Sequence, residues 1–173
     1  MSHGVIGILR VFHILGGVFW VGAAVFMAAF LLPSLRAVGP SGAPLMTHLA
    51  QVRRLPLWMM IAMSVTLIAG FLLYWANARS AGTAWLGSGP GRIFGLGGVL
   101  ALAGGVVGMA VSSPAGRKLG SLGASLAAAG RPPSPEEAAT MQALQRRLAT
   151  AAVVVAVLVC LATVAMAVAR YVS

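Results

Sequence analysis

The sequence predicts an all-α polytopic membrane protein, a bundle of four transmembrane helices in a single domain that covers residues 1–173. Its 173 residues are 60% hydrophobic and only 8% charged, whereas a soluble domain carries about 25% charged residues. The mean hydropathy of +0.95 agrees with this composition. Four segments reach the roughly 20 apolar residues that a helix needs to cross a hydrocarbon core of about 30 Å. We therefore expect a lipid bilayer to surround most of the chain.

The first apolar segment is interpreted as a retained helix rather than a signal peptide. It is longer than the h-region of about 7–15 residues that a signal peptide contains, and no A-x-A cleavage pattern follows it. Pro33 is expected to end the first span, and the "SSP" of residues 112–114 is expected to end the third, because proline disrupts a helix. The predicted spans cover residues 5–33, 57–76, 93–112 and 146–170.

The fourth helix is expected to start well before its span, within a long loop that covers residues 115–146. In "SPEE", Ser134 is placed as the N-cap, Pro135 at the first helical position and Glu137 three residues after the cap, which is a capping-box pattern. A helix from Pro135 to Tyr171 would be about 55 Å long at 1.5 Å per residue. The preceding segment, residues 116–133, is predicted to be weakly helical or irregular.

Basic residues flank the predicted spans and indicate the topology. The chain carries a net charge of +10, which in a soluble protein would suggest nucleic acid as a partner. Here the first and third loops hold eight of the twelve Lys and Arg residues, and the opposite side holds four. The positive-inside rule then predicts that the first and third loops lie in the cytoplasm and that both termini lie on the opposite side of the membrane. No nucleic-acid partner is expected.

Glycine and alanine stripes predict how the helices associate. Small residues allow close backbone approach in membranes, where burial alone does not drive helices together. Gly16 and Gly17 form a notch in the first span. The partner of such faces is either another helix of this chain, a second copy, or another membrane subunit. The third span places four small residues on one stripe: Gly97, Ala101, Gly104 and Gly108.

Few side chains in the spans can support chemistry. No Asp, Glu or Lys occurs in any span, which argues against carboxylate-coupled transport. The sequence contains no Ser–His–acid arrangement and no zinc-binding Cys/His pattern, so no catalytic residue is assigned. Away from the ends of the spans, the polar residues are His13, Ser64, Thr66, Cys160 and Thr163.

His13 has two interpretations. It lies only a few residues inside the membrane boundary, where a hydrogen bond to a carbonyl, a headgroup or a neighbouring loop would satisfy it. Alternatively, its imidazole is an axial ligand of haem b, since helix bundles house such cofactors. Met166 lies at a similar depth, because His13 follows Arg10 by three residues and Met166 precedes Arg170 by four. Met166 is therefore either the second haem ligand or a packing residue.

A methionine cluster raises the weaker hypothesis of copper handling. Soft thioether sulfurs bind Cu(I). However, methionines at helical spacing are ordinary core residues as well, so both interpretations remain open. The residues concerned are Met46, His48, Met59, Met60 and Met63.

The segment "LRVFHILGGVFWVGAAVFMAAFLLPSLR" resembles the first helix of a group of uncharacterised four-helix membrane proteins of bacteria. The shared pattern of His, small residues, Trp and Gly is formed here by His13, Gly16, Gly17, Trp20 and Gly22. The ending "LQRRLATAAVVVAVLVCLATVAMAVARYV" is similar to that group too. The resemblance covers most of the chain through loose, mostly hydrophobic motifs. It implies a multi-pass protein of the bacterial inner membrane, in which termini outside the cytoplasm would lie in the periplasm.

That group is distantly similar to the copper-resistance D membrane domain and to the four-helix bacterial protoporphyrinogen oxidase. The oxidase binds haem b through a helix histidine, so the resemblance implies haem ligation by His13. The oxidase pattern includes a lysine within a span, and this sequence has none there. The extended architecture of the copper domain is missing as well.

The leading functional prediction is a small, non-enzymatic membrane subunit or scaffold. It would pack through its glycine-rich faces against other membrane components or against further copies of itself. The first alternative is a haem b membrane redox protein that uses His13 and Met166, and the second is copper handling.

Overall fold

The computed structural model describes residues 1–172, except for the side chain of Pro40, and these residues form helices without any β-strand. Four helices are long and apolar enough to cross a membrane. The predicted all-α fold with four spanning helices is therefore confirmed. The α-helices are α1 (His3–Phe26), α2 (Leu32–Val38), α3 (Ala43–Thr47), α4 (Leu55–Ala81), α5 (Gly89–Val107), α6 (Ser113–Ala129) and α7 (Pro135–Val168).

Two short π-helical segments join neighbouring α-helices into longer ones. Met27–Leu31 connects α1 to α2, so that the first spanning helix is continuous over His3–Val38. Gly108–Ser112 connects α5 to α6, and the third spanning helix is continuous over Gly89–Ala129. The second and fourth spanning helices are α4 and Pro135–Tyr171.

Both prolines predicted to end a span lie instead inside a continuous helix. The residue before each proline donates its N–H to the carbonyl five positions back: Leu32 to Met27, and Ser113 to Gly108. Because proline has no N–H and its ring collides with the carbonyl four positions back, this wider π turn lets the helix pass the proline. The prediction that "SSP" stops the third helix is wrong. In the segment predicted to be weakly helical or irregular, residues 116–129 are helical and residues 130–133 are not.

The predicted start of the fourth helix is confirmed. The Ser134 hydroxyl accepts a hydrogen bond from the Glu137 N–H at 3.2 Å, and the Glu137 carboxylate accepts one from the Ser134 N–H at 2.8 Å. Arg131 also binds the Glu137 carboxylate through both guanidinium nitrogens, at 2.7 and 2.8 Å. This Arg131 pairing, followed by the Ser134 N–H bond, lowers the pKa of Glu137 to about 2.

The four spanning helices form a ring of two tightly packed pairs. α1 packs most extensively on α4, and α5 packs most extensively on α7, while α1–α7 and α4–α5 contacts close the ring. Neighbouring helices run in opposite directions. One end of the bundle, the terminal end, therefore holds both ends of the described chain and the connection at residues 82–88. The opposite end, the basic end, holds the connections at residues 39–54 and 130–134.

Small residues let the four helices approach closely in the bundle interior. A Cβ atom at Gly104 would lie 3.2 Å from Cγ1 of Val159, and one at Gly105 would lie 3.1 Å from Sδ of Met63. Val159 is only 1% exposed. Gly104 and Gly105 therefore pack against other helices of the same chain.

The two helix pairs are internally repeated. "LGGV" occurs at residues 15–18 and again 81 residues later at 96–99. The same offset relates Pro33 to Pro114 and the start of one π segment to the start of the other. Both copies run in the same direction, which is the arrangement of a parallel rather than an inverted repeat.

The contacts repeat as well as the sequence. A Cβ atom at Gly16 would lie 3.2 Å from the carbonyl oxygen of Ala62, and one at Gly97 would lie 3.2 Å from the carbonyl oxygen of Ala162. The α1–α4 and α5–α7 pairs are therefore equivalent packing units.

A helical hairpin extends beyond the spans at the basic end. The third and fourth spanning helices contain 41 and 37 residues, about 60 and 55 Å at 1.5 Å per residue, so each exceeds the hydrocarbon core of about 30 Å. The hairpin comprises α6 and residues 135–147 of α7, which pack on each other. Ala115 and Leu126 are buried in this contact region, and a bond from the Arg36 guanidinium to the Gln145 carbonyl at 3.3 Å ties α2 to it.

Candidate functional site

The His13 ring is held in the interface between α1 and α4. Its Nδ1 lies 2.8 Å from the carbonyl oxygen of Thr66, and since a carbonyl only accepts, Nδ1 carries the proton. The Thr66 hydroxyl in turn donates to the carbonyl of Ala62 at 2.7 Å. The hydrogen bond to a carbonyl that the first interpretation of His13 requires is thus present, supplied by the neighbouring helix.

Gly70 provides the space for the His13 ring. A Cβ atom at Gly70 would lie 2.7 Å from Cε1 and 2.9 Å from Nδ1 of His13, closer than such atoms approach in real structures. The sequence analysis missed this residue. The available signal was that Gly70 is the only glycine within α4, at a depth that pairs with His13 once the two helices run antiparallel.

Met166 lies in the other helix pair. A Cβ atom at Gly97 would lie 2.9 Å from Cγ and 3.3 Å from Cε of Met166, so the methionine side chain fills the groove over that glycine. The two side chains predicted as haem ligands, His13 and Met166, therefore occupy two different interfaces, one against α4 and one against α5.

The methionines of the copper hypothesis point in different directions. Met63 is buried against Gly105, and Met59 packs against the bundle core. Met60 is exposed, as is His48 in the connection at the basic end. Within residues 1–172, no group of three or more His, Cys, Asp or Glu side chains is placed to hold a metal ion.

The small residues predicted to pack the helices together differ in how closely they contact a neighbouring helix. Gly17 makes an ordinary contact, since a Cβ there would lie 3.6 Å from Cγ2 of Thr66. Ala101 is 7% exposed and lies in the core with the helices around it. Gly108 begins the second π segment, and a Cβ there would meet nothing within 4 Å.

An open cleft of about 400 Å³ lies at the terminal end of the bundle. All four spanning helices and the 82–88 connection contribute to its lining, so we call it the terminal cleft. In the sequence, Arg10 and Arg170 served to place His13 and Met166 at a similar depth; the signal missed was that this depth also places the two arginines themselves at one end of the bundle. The lining residues are Arg10, Asn77, Trp85, Pro90, Phe94 and Arg170.

Aromatic rings build one wall of the terminal cleft. The Trp85 ring stacks on Phe94, with centroids 6.4 Å apart, and is tilted against Tyr74 at 5.2 Å. The Tyr74 hydroxyl donates to the Gly91 carbonyl at 3.2 Å, which joins α4 to the start of α5. Ser88 caps α5 by accepting from the Gly91 N–H. This wall is therefore fixed by contacts among three consecutive elements.

The internal repeat explains where the terminal cleft lies. The offset that relates Gly16 to Gly97 relates His13 to Phe94, and the offset that relates Ala62 to Ala162 relates Gly70 to Arg170. In the first half, the histidine ring packs over a glycine. In the second half, an arginine replaces that glycine, and both Phe94 and Arg170 line the cleft.

Comparison with known proteins gives no relative: no family model matches the chain, and no curated protein and no solved structure matches it either.

Proposed function

We propose that the protein is a non-catalytic subunit or scaffold of a membrane assembly, and that its projecting hairpin is the docking element. One observation carries this proposal: α6 and the start of α7 continue the spanning helices well beyond the thickness of a bilayer and pack on each other there. A helix that only crosses a membrane needs about 20 residues. The additional helical turns, closed by a capping box, form a rigid surface outside the lipid.

Charge indicates what this surface would contact. Four basic residues of the hairpin are exposed, and Arg131 beside them is paired with Glu137. A basic surface favours acidic side chains on a partner subunit, or anionic lipid headgroups beside it. The exposed basic residues are Arg117, Lys118, Arg146 and Arg147.

The distribution of basic residues also indicates on which side of the membrane the hairpin would lie. Eight basic residues at the basic end against four at the other favour the cytoplasm for the hairpin and the periplasm for both termini, in a bacterial inner membrane. In this orientation, the docking surface faces cytoplasmic domains of neighbouring membrane proteins or further copies of this chain.

Native gels in mild detergent test the docking role. The wild-type chain, extracted from its own membrane, is expected to migrate in a complex larger than the monomer in its detergent micelle. Arg117→Glu combined with Lys118→Glu should shift it to the monomer position. Arg79→Glu combined with Arg92→Glu, a matched double charge reversal at exposed positions of the terminal end, should leave the complex intact. A wild-type monomer, or equal loss with both variants, would contradict the proposal.

The haem b alternative has one supporting observation. A metal-binding histidine usually donates its other ring N–H to a carbonyl or carboxylate, and Nδ1 of His13 does so to Thr66, which leaves Nε2 outside this bond. His13 packs on Gly70 and Met166 on Gly97, so the two side chains lie in different helix interfaces.

An absorption spectrum decides this alternative. Protein purified after haem-replete expression should show a Soret band that His13→Ala removes, if the histidine is an axial ligand. A colourless wild-type preparation would exclude haem b and leave the subunit proposal unaffected.

A further inference from the structure

We propose that the terminal cleft is a binding site for the phosphate group of an anionic membrane lipid. The three polar side chains of its lining are Arg10, Asn77 and Arg170. All three are exposed and offer N–H donors. Arginine guanidinium groups bind phosphate oxygens in a bidentate manner, and these charge-assisted bonds are among the strongest hydrogen bonds in proteins.

The acidic side chains of this chain lie away from the two arginines. The chain contains only two acidic residues, Glu136 and Glu137, and both begin α7 at the basic end. Within residues 1–172 the only ion pair is the one between Arg131 and Glu137. The fold brings Arg10 and Arg170 from opposite ends of the sequence to one cleft, where both charges attract an anion.

The position and walls of the cleft favour a lipid rather than a soluble anion. Arg10 lies one turn beyond His13 on α1, and Asn77 lies two turns beyond Gly70 on α4. The cleft thus sits where the spanning helices leave the hydrocarbon core. The Trp85–Phe94 wall supplies aromatic surface of the kind found at headgroup level. A phosphate bound by the arginines would leave acyl chains free to follow the apolar outer faces of the helices.

The internal repeat makes the cleft a specific feature of one half. Position 70 in the first half is glycine and lies under the His13 ring. Its counterpart is Arg170, a residue too large for that role, which lines the cleft instead. Arg170 is exposed and lines the cleft, whereas Gly70 lies under a ring in a helix interface.

Binding can be measured on the purified full-length chain in neutral detergent. The probes are dioctanoyl phosphatidylglycerol, dioctanoyl phosphatidylcholine and inorganic phosphate, with native mass spectrometry for retained lipid and thermal unfolding for stabilisation. The wild type should bind phosphatidylglycerol at least tenfold more tightly than phosphatidylcholine. Arg10→Gln combined with Arg170→Gln should weaken phosphatidylglycerol binding at least tenfold, while Arg79→Gln combined with Arg92→Gln, exposed arginines outside the cleft lining, should change it less than twofold.

Three results would overturn the proposal: equal affinity of the wild type for the two lipids, equal losses in both double variants, or stabilisation by inorganic phosphate alone that matches phosphatidylglycerol. The last result would assign the cleft to a soluble phosphate compound. If the Arg10→Gln and Arg170→Gln double variant does not fold, the comparison of the two lipids on the wild type still tests the proposal. Single changes of Arg10 or Arg170 to Lys then test the bidentate geometry. None of these outcomes depends on the docking role of the hairpin, which lies at the opposite end.

Discussion

His13 fits between two spanning helices because a backbone carbonyl accepts its N–H and a glycine leaves room for its ring. His13 donates to the carbonyl of Thr66, and its ring lies over Gly70. An unsatisfied polar group in hydrocarbon costs several kcal/mol, so the ring nitrogen needs this acceptor. The sequence predicted that a carbonyl was one possible partner. It did not show which one, because that depends on the register between two antiparallel helices.

Gly70→Ala should destabilise the bundle by about 1–3 kcal/mol, the usual cost of an added carbon in a packed core. The new Cβ would lie 2.7 Å from the His13 ring, and neither helix can yield without losing the bond to Thr66. Reversible unfolding in mixed micelles measures the change.

Two further variants separate this clash from a general effect of alanine. Gly98→Ala, at a position where a Cβ meets nothing within 4 Å, should be neutral or slightly stabilising. In the His13→Ala background, Gly70→Ala should lose most of its cost. Full additivity of the two changes would show that the ring and the glycine do not interact.

At the scale of the helices, proline was a misleading signal. Pro33 and Pro114 both precede further helix, because a π segment before each one widens the turn. A proline either ends a helix or kinks it, and the local sequence does not show which of these two effects occurs. Packing of α6 on α7 stabilises the continued helix beyond Pro114, and such long-range contact is invisible in a local pattern.

The start of α7, in contrast, was predicted correctly because a capping box is a local pattern. Ser134→Ala should destabilise the hairpin by about 1 kcal/mol, the typical cost of a lost N-cap. Hydrogen exchange of amides near residues 135–147 should report faster opening there, with no change in α4. Ser125→Ala, on the neighbouring α6 where the hydroxyl only binds its own helix at Leu122, is the matched control. Equal acceleration in both variants would contradict the capping role.

The hairpin should also lose stability in acid. The pKa of Glu137 is lowered to about 2 by its bonds to Arg131 and to the Ser134 N–H, against an ordinary value of 4.5. A lowered pKa in the folded state stabilises it at pH values above 4.5, and this contribution declines as the pH falls from about 4.5 towards 2.

Hydrogen exchange or limited proteolysis of the hairpin between pH 6 and pH 2.5 measures this decline. Glu137→Gln should remove most of the pH dependence, while Glu136→Gln should retain it. A hairpin whose opening is independent of pH in the wild type would refute the role assigned to Glu137.

For the whole molecule, the fold class and the number of spans could be predicted from the sequence. A chain with 8% charged residues cannot cover itself with a polar surface, and its four long apolar segments give the four spans. The internal repeat was not recognised in the sequence, although "LGGV" and the two prolines recur at one offset. A glycine has no side chain, so the sequence around it does not show which helix packs against it. The equivalence became evident only when Gly16 and Gly97 met Ala62 and Ala162 at the same distance.

The repeat predicts matched effects in the two halves. Gly16→Ala and Gly97→Ala should each destabilise the bundle by about 1–3 kcal/mol, since each new Cβ approaches a backbone carbonyl of its partner helix at 3.2 Å. Gly22→Ala, with nothing within 4 Å, should have little effect. Thermal unfolding in detergent measures all three. A large effect in one half only would show that the pairs are not equivalent packing units.

The arrangement of the bundle as a whole, two antiparallel pairs with a hairpin at one end, is tested most directly by thiol labelling in sealed membrane vesicles. In a Cys160→Ser background, single changes Ser2→Cys, Thr83→Cys, Ser41→Cys and Gln142→Cys are treated with a membrane-impermeant reagent. Ser2→Cys and Thr83→Cys should label from one side, and Ser41→Cys and Gln142→Cys from the other. Labelling of Ser2→Cys and Thr83→Cys from different sides would contradict the bundle described here.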